Sequence, residues 1–86
     1  MKKREAGVHY VYIVQCADDT LYTGWTTDLD ARIVAHNSGA GAKYTRGRGP
    51  VRLIYSETFE TMGEALKREN RIKKLNRAGK LKLVQR

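Results

Sequence analysis

Residues 21–36 read LYTGWTTDLDARIVAH and predict a short strand that leads directly into a helix. The strand portion, residues 21–25, contains the aromatic and β-branched side chains that favour strands. The helix follows at Thr27 or Asp28, either of which has the side chain of a helix cap. We expect this helix to end near Asn37, because a serine and a glycine come next.

The predicted helix carries two polar side chains beside its apolar face. Leu29 and Ile33 mark the inward face, and Arg32 and His36 border it, four residues apart and therefore one above the other. An isolated histidine most often serves packing or a hydrogen bond. An arginine and a histidine stacked towards a core also offer phosphate binding and proton transfer at one place. The helix alone leaves both interpretations open.

Similar patterns predict the other elements. In chain order they are a buried strand over 9–16, a turn over 17–20, a loop with no element of its own over 38–50, a strand over 51–58, a helix over 61–75 and a short helix over 77–84. The second helix opens with Thr61-Met-Gly-Glu64, which fits a capping box. The order β-β-α-β-α-α predicts an α+β fold, with a small mixed or antiparallel three-stranded sheet flanked by helices.

The size and composition of the chain limit its class. With 86 residues there is room for one small domain, which we place over 1–86 with its core over about 8–84. Cys16 is the only cysteine, so neither an intrachain disulfide nor a zinc site built on paired cysteines is expected. The N-terminus lacks the apolar run of a signal peptide, and no stretch approaches the roughly 20 apolar residues of a membrane span. These features predict a soluble cytoplasmic protein that does not bind membranes.

The positive charge is concentrated at the C-terminal end of the chain. Residues 1–66 hold eight Lys or Arg and eight Asp or Glu, whereas residues 67–86 hold nine Lys or Arg and one acid. The whole net charge of +8 therefore lies in the second segment. A basic surface of this kind attracts polyanions through phosphate neutralisation and counterion release. Nucleic acid is the favoured partner, and a solvated helix face that only aids solubility is the alternative.

Glu69, the one acid of the basic segment, occupies an unusual position. At about 100° per residue it falls near the middle of an apolar helix face. The residues of that face are Met62, Ala65, Leu66 and Ile72, with Leu75 at its margin. A buried carboxylate is costly unless it is paired, hydrogen-bonded or bound to a metal. Glu69 is therefore either the partner of a lysine or arginine, or a catalytic acid or Mg²⁺ ligand.

In chain order, these side chains resemble the motif series of the GIY-YIG nuclease superfamily. The series consists of Tyr10-Val-Tyr12, Tyr22-Thr-Gly24, Arg32, His36 and Glu69. The resemblance covers residues 8–84 and looks closest to the small stand-alone bacterial members, the UPF0213-type single-domain proteins. Two positions depart from the pattern. Tyr10 stands where the first motif has glycine, and Thr23 stands where the second usually has isoleucine or valine.

The resemblance implies an endonuclease that hydrolyses phosphodiester bonds in DNA with one divalent metal ion, Mg²⁺ or Mn²⁺. Tyr12 and Tyr22 would be the two active-site phenols, one of them to activate or orient the attacking water. Arg32 would bind the scissile phosphate, and His36 would assist proton transfer or orient a tyrosine. Glu69 would hold the metal. The fold implied is a three-stranded antiparallel sheet flanked by helices.

The two phenols share a site only if they lie on the same face of the sheet, and the hairpin loop decides this. A two-residue turn at Asp18 and Asp19 would pair Tyr22 with Gln15 and turn it away from Tyr12. We therefore predict a three-residue loop or a bulge. The resemblance also implies that Gly24, in the second motif, permits a close approach of the backbone.

The basic segments supply candidate nucleic-acid contacts. These are Lys43, Arg46 and Arg48 in the glycine-rich loop, and Lys67, Arg71 and Lys74 on the second helix. Tyr44 in the same loop is a candidate for stacking on a base, although the loop also fits a solvated connector. Nothing resembles a base-reading module, so any selectivity should be for nucleic-acid shape.

The expected partner is nucleic acid, DNA rather than RNA. The resemblance allows for a separate targeting protein, and we expect a monomer or a weak homodimer. Two alternatives from other classes stay open: a nucleic-acid-binding protein that keeps the nuclease fold without activity, and a small basic ribosome-associated protein.

Overall fold

The computed structural model describes residues 7–85, which form three strands and three α-helices. A one-turn 3₁₀ helix lies between the first α-helix and the third strand. In chain order the elements are β1 (His9–Gln15), β2 (Leu21–Thr26), α1 (Leu29–Asn37), the 3₁₀ helix (Lys43–Thr45), β3 (Arg52–Phe59), α2 (Met62–Lys73) and α3 (Arg77–Val84). The strands form one antiparallel sheet in the order β2-β1-β3. The predicted α+β fold with a three-stranded antiparallel sheet is confirmed.

The central strand β1 is buried on both faces, as its continuous run of β-branched and aromatic residues predicts. Side chains alternate between the two faces of a strand. On one face, Val11 and Ile13 pack against residues of α2 and α3: Ala65, Ile72 and Leu83. On the other face, Tyr12 and Val14 pack against residues of β2 and α1: Tyr22, Leu29 and Ile33. The helices therefore cover both faces of the sheet, and the polar part of the α1 face lies beside Tyr12.

The loop of the β1–β2 hairpin has three residues, 17–19, because Gln15 pairs with Leu21 and the Cys16 amide donates to the Thr20 carbonyl over 2.8 Å. Asp19, its last residue, has a φ of 74°, the left-handed conformation that closes a three-residue hairpin loop. Tyr22 consequently pairs with Val14. It lies on the same face as Tyr12, two residues away along β1, which confirms the predicted loop.

Each helix begins at a polar cap. Asp28 accepts a hydrogen bond from the Ala31 amide, so it caps α1 rather than Thr27. Thr61 accepts from the Glu64 amide at the start of α2, and the Asn76 side chain caps α3. Among the described residues, no helix is both long enough and apolar enough to cross a membrane.

Three details of the sequence prediction are wrong. The segment over 38–50 is not without an element, because residues Lys43–Thr45 form the 3₁₀ helix. Helix α2 ends at Lys73, two residues before the predicted end. Met62, assigned to its apolar face, and Leu75, assigned to the margin of that face, are 49% and 41% exposed, because Met62 is the first residue of the helix and Leu75 lies past its end.

The segment over 38–50 is fastened to its surroundings at several points. The Val51 amide donates to the Asn37 side chain over 2.6 Å, which ties the end of the segment to the end of α1. At the hairpin, the Ala17 amide donates to the Arg48 carbonyl over 2.7 Å, and the Arg48 guanidinium pairs with Asp18. These contacts hold the segment across the end of the sheet where β2 begins.

Candidate active site

Four of the five predicted catalytic residues meet on the α1 face of the sheet. His36 Nε2 lies 2.8 Å from the Tyr12 phenol oxygen, and Arg32 Nε lies 3.4 Å from the same oxygen. The Tyr22 ring packs edge-on against the His36 ring, with 5.4 Å between their centres. The strand register places the two tyrosines, and the four-residue spacing on α1 brings Arg32 and His36 over them. The site thus combines two phenols, a guanidinium and an imidazole.

The hydrogen bonds around His36 favour one tautomer. The Thr45 hydroxyl lies 3.0 Å from the Ala42 carbonyl and 2.8 Å from His36 Nδ1, and when it donates to the carbonyl it accepts from Nδ1–H. Nδ1 then carries the hydrogen. In the neutral ring Nε2 is then an acceptor, and the Tyr12 hydroxyl donates to it. Thr45 was not among the residues predicted from the sequence.

The pKa values of the buried pair agree with this assignment. Burial lowers the pKa of His36, and the nearby Arg32 charge lowers it further, so the neutral imidazole is favoured. Burial raises the pKa of Tyr12 from its ordinary value of 10.0, outweighing the opposite effect of Arg32. Tyr12 is thus a protonated hydrogen-bond donor at neutral pH, and the pair is ordered as phenol to imidazole to threonine hydroxyl.

Exposure divides the four residues into two kinds. Tyr12 is 0% exposed and His36 is 2% exposed, so neither reaches a molecule bound at the surface. Tyr22 and Arg32 are partly exposed. Hydrogen bonding to Tyr12 raises the pKa of Arg32, and the charge of the Tyr22 phenol also raises it, so the guanidinium lies near both phenols. Tyr22 and Arg32 are therefore the two side chains that face solvent, and Tyr12 and His36 support them from below.

Two glycines make room for this arrangement. A Cβ atom on Gly24 would stand 2.6 Å from the Tyr12 phenol oxygen, so the phenol lies directly over the backbone of β2. This agrees with the close approach implied for Gly24. A Cβ atom on Gly41 would stand 2.8 Å from the Cα of His36 and closer still to its ring. Gly41 thus lets the segment after α1 fold back over His36 and bring Thr45 to Nδ1.

Glu69 belongs to the other face of the sheet. It lies on the inward stripe of α2 between Ala65 and Ile72, which pack against the face opposite Tyr12. Its side chain is only 11% exposed, and Lys73 Nζ lies 3.2 Å from its Oε2 atom. The charge of Glu69 still reaches Tyr12, whose raised pKa it contributes to after the larger effect of burial. Of the two interpretations of this buried acid, the structure contains the lysine pair.

A single-carboxylate metal site fits the residues near Glu69. Within residues 7–85, no group of three or more His, Cys, Asp or Glu side chains is placed to hold a metal ion. Mg²⁺ binds through one or two carboxylates and keeps several of its waters, whereas sites built on many protein ligands suit other ions. The donor set of this chain is thus compatible with one hydrated Mg²⁺ or Mn²⁺ at Glu69.

The predicted nucleic-acid contacts divide into exposed and engaged cations. Five of the six are exposed: Lys43, Arg46, Lys67, Arg71 and Lys74. Arg48 is engaged, because its guanidinium pairs with Asp18 and lies 4.4 Å from the centre of the Tyr44 ring. Tyr44 itself stacks on Tyr22, with 5.7 Å between ring centres. Tyr44, predicted to stack on a base, is thus already stacked on a residue of the candidate site, and in this structure it supports the Tyr22 ring.

Comparison with known proteins agrees with the geometry. Residues 8–82 match the GIY-YIG catalytic domain. A UPF0213 protein of Clostridium perfringens is 61% identical over 77 residues, which cover 90% of this chain and 83% of the relative. A UPF0213 protein of Natronomonas pharaonis is 53% identical over 79 residues, which cover 92% of this chain and 93% of the relative.

Two solution NMR structures share the fold. One, of a UPF0213 protein from Bacillus halodurans, is 52% identical with a TM-score of 0.60 and covers 91% of this chain and 83% of that chain. The other, of a protein from E. faecalis, is 42% identical with a TM-score of 0.64 and covers 99% of this chain and 88% of that chain. The domain match spans nearly the whole described chain, and the relatives from Clostridium perfringens and Natronomonas pharaonis are identical to it at more than half of the matched positions. The protein therefore belongs to the GIY-YIG nuclease superfamily, among its UPF0213 members.

Proposed function

We propose that the protein is a metal-dependent endonuclease that hydrolyses phosphodiester bonds in DNA. The observation that carries this proposal is the placement of the partly exposed Tyr22 phenol and Arg32 guanidinium beside a buried, hydrogen-bonded Tyr12 and His36. Phosphodiester hydrolysis needs an oriented water and positive charge directed at the oxygens that gain charge in the transition state. Membership of a nuclease superfamily supports the same class of reaction.

Arg32 and Tyr22 are the residues we assign to contact with the substrate. Arg32 binds the non-bridging oxygens of the scissile phosphate, for which a guanidinium offers several donors in a fixed fork. Tyr22 orients the attacking water at phosphorus, and the bond from phosphorus to the leaving oxygen breaks as the new bond forms. The proton of the water leaves to solvent past the Tyr22 oxygen, and the leaving oxygen takes up a proton.

Tyr12 and His36 act as positioning residues in this proposal. Both are buried, so they serve by holding the Arg32 side chain and the Tyr22 ring at their places. Glu69 is the residue we assign to the metal, with Lys73 orienting one of its oxygens. A bound Mg²⁺ or Mn²⁺ would supply Lewis acidity and stabilise the charge on the leaving oxygen.

The exposed cations support a polyanionic substrate held without base reading. Lys67 and Arg71 lie on the same helix as Glu69, Lys74 follows at its C-terminal end, and Lys43 and Arg46 lie in the segment that carries Thr45. Contacts of this kind bind phosphates and carry no sequence information. We therefore propose DNA, preferred over RNA and selected by its shape. The protein would act in the cytoplasm as a monomer or weak homodimer, with a separate protein for targeting.

One observation favours a second candidate function. The ion pair between Lys73 and Glu69, 3.2 Å apart, satisfies the buried carboxylate without any metal. A nucleic-acid-binding protein that keeps the nuclease fold, but does not cleave, would need Glu69 only for this structural pair. The two candidates differ in whether Glu69 takes part in a metal-dependent reaction.

The deciding experiment incubates the purified protein with branched, flapped and plain duplex DNA at low salt, in Mg²⁺, Mn²⁺ or EDTA. The test variant is Glu69→Gln, which keeps the shape of the side chain and removes its charge. Glu64→Gln is the matched control, because it makes the same change at an exposed acid on the same helix. Tyr22→Phe and Arg32→Lys complete the series, and each should lower the rate by roughly 10²–10⁴-fold.

Cleavage that requires Mg²⁺ or Mn²⁺, survives Glu64→Gln and disappears in Glu69→Gln would support the nuclease. The preferred substrate would then define its selectivity. DNA binding without cleavage, equal in all four variants, would instead support the binding protein. Cleavage that persists unchanged in Glu69→Gln would contradict the assignment of Glu69.

A further inference from the structure

An open pocket of about 240 Å³ lies at the outer edge of β2, beside the candidate active site. Its lining residues are Thr20, Leu21, Tyr44, Leu75, Arg77 and Lys80. Three of these lie in the hairpin, or in the segment that crosses the end of the sheet, and three lie at the junction of α2 and α3. At roughly 30 Å³ of liquid volume per water, the pocket has space for about eight waters, which is comparable to the size of one nucleotide.

The pocket combines two kinds of wall. Leu21 and Leu75 offer apolar surface, and Leu75 is one of the large apolar side chains that this fold leaves exposed, at 41%. Arg77 and Lys80 supply positive charge from successive turns of α3. Of the residues that the structure describes, no acidic one lines the pocket. A ligand that fits both walls carries a flat or apolar ring beside an anionic group.

The two cations play different parts. Arg77 reaches across to the hairpin loop, where its guanidinium contacts the Asp19 carbonyl and carboxylate, so it forms a fixed wall of the pocket. Lys80 is half-buried, and within residues 7–85 no carboxylate lies within ion-pair distance of it. Burial and the neighbouring Lys73 charge lower the pKa of Lys80. An anion in the pocket would relieve this unfavourable placement.

The position of the pocket ties it to the candidate active site. Tyr44 lines the pocket and at the same time stacks on Tyr22, with 5.7 Å between ring centres. A strand that runs along the β2 edge from Arg32 would therefore bring the next nucleotides to Leu75 and Lys80. A base that lies against Leu21 and Leu75 is not stacked or paired in a duplex, so the strand that enters the pocket is unpaired at this point.

We propose that this pocket is a subsite for one unpaired nucleotide of the substrate strand, with the phosphate on Lys80 and the base against Leu21 and Leu75. The proposal rests on the proposed function, which it deepens: the substrate is nucleic acid that contains a single-stranded segment next to the cleavage point. Plain duplex, in which every base is paired and stacked, would reach the active site without occupying the pocket.

The test measures binding in EDTA, so that no cleavage is needed. Fluorescence anisotropy compares a 5′-phosphorylated oligothymidylate with a blunt duplex for the unmodified protein, for Lys80→Ala and for Lys82→Ala. Lys82 is the matched control, because it is an exposed lysine on the same helix that does not line the pocket. We expect Lys80→Ala to weaken oligothymidylate binding by about tenfold more than Lys82→Ala, as loss of a charged hydrogen bond to phosphate predicts. Duplex binding should fall equally in both.

A second measurement shows where the ligand lies and whether the variants fold. In NMR titrations with a 5′-phosphorylated thymidine dinucleotide, the methyl signals of Leu21 and Leu75 should shift, and those of the exposed Val34 on α1 should not. The unbound spectrum of Lys80→Ala should match that of the unmodified protein outside α3.

Equal losses in Lys80→Ala and Lys82→Ala, or dinucleotide shifts spread over the basic surface without Leu75, would overturn the subsite. The nuclease proposal fails separately. Lys80-dependent binding in a protein that never cleaves DNA supports the subsite and removes only the catalytic role. Metal-dependent cleavage, together with oligothymidylate binding that Lys80→Ala weakens no more than Lys82→Ala does, supports the nuclease and removes the subsite.

Discussion

His36 is held between two hydroxyl groups that have opposite roles. Thr45 accepts from its Nδ1–H group, and Tyr12 donates to its Nε2 atom. The Arg32 guanidinium then donates to Tyr12 from the other side. A buried imidazole thus connects one residue of the 3₁₀ helix, Thr45, to the guanidinium that faces solvent. A substitution at Thr45 should therefore act on the site without touching any molecule bound there.

Thr45→Val tests this arrangement at the residue that the sequence analysis missed. Valine keeps the shape of threonine and leaves the His36 Nδ1–H group buried without an acceptor, which should cost about 1–3 kcal/mol of unfolding free energy. Thr45→Ser keeps the hydroxyl and is the control. Denaturant unfolding measures the stability. The imidazole ¹⁵N shifts should report hydrogen on Nδ1 in the unmodified protein and in Thr45→Ser. Hydrogen on Nε2 in either would contradict the hydrogen-bond chain.

The pH dependence of stability follows from the same histidine. Its pKa in the folded protein lies below its ordinary value of 6.5, so the unfolded chain binds the proton more readily. Stability should therefore decrease as the pH falls below about 6.5, and the loss should end once the pH has passed the pKa of His36 in the folded protein. Well above pH 6.5, the protonation of His36 should have no effect on stability. Urea unfolding from about pH 7.5 down to about pH 5 measures this loss. His36→Gln should lose less stability over that range, and an equal loss in both would mean that His36 is not responsible.

At the scale of secondary-structure elements, β2 can approach the site only because it has a glycine opposite Tyr12. In Gly24→Ala the new methyl carbon would lie 2.6 Å from the Tyr12 phenol oxygen and must displace it. Crowding of this kind should cost about 1–3 kcal/mol and release the bond from Tyr12 to His36. Gly63→Ala on α2 is the matched control, because no atom lies within 4 Å of its new methyl group. It should instead stabilise the protein by about 0.5–1 kcal/mol.

Thermal or urea unfolding of both variants decides this prediction. A Gly24→Ala protein as stable as the unmodified one, with an unchanged His36 ¹⁵N spectrum, would mean that the phenol does not depend on this glycine.

The sequence predicts the elements well wherever a local rule acts. Capping chemistry indicated the starts of α1 and α2, and the alternation of strand side chains led to the requirement for a three-residue hairpin loop. The segment over 38–50 obeys no periodicity, so its 3₁₀ helix and the contact of Thr45 with His36 remained hidden. They arise from contacts between residues distant in the chain. The one available signal was Gly41, a small residue just after the helix that carries His36.

At the scale of the whole molecule, the sequence could not assign the helices to faces of the sheet. The helical pattern shows that Glu69 points inward, but not towards which face. The structure places it opposite Tyr12, on the side where Val11 and Ile13 pack. Arg32 and His36 lie on the other side, with α1. Joining these groups around one phosphate would require a substrate that passes the β2 edge of the sheet.

The exposed cations at positions 67, 71 and 74 give a prediction for the molecule as a whole. Replacing Lys67, Arg71 and Lys74 by alanine should weaken duplex binding and reduce the slope of log affinity against log salt by about 0.9 for each phosphate that is no longer neutralised. Anisotropy titrations between low and moderate salt measure the slope. The comparison for position uses two double variants of equal charge change, Lys67→Ala with Arg71→Ala and Lys82→Ala with Arg52→Ala. Identical slopes in the two double variants would mean that only net charge determines binding.

The three-residue loop between β1 and β2 is a place where this gene can tolerate a change of length. A one-residue slip would turn every side chain of β2 to the opposite face of a sheet that is buried on both sides, so the strands keep their register and a codon inserted at residues 17–19 lengthens the loop instead. Related genes should therefore differ in length here by odd as well as even numbers of codons. An added residue would leave Tyr22 paired with Val14 and both phenols in the site.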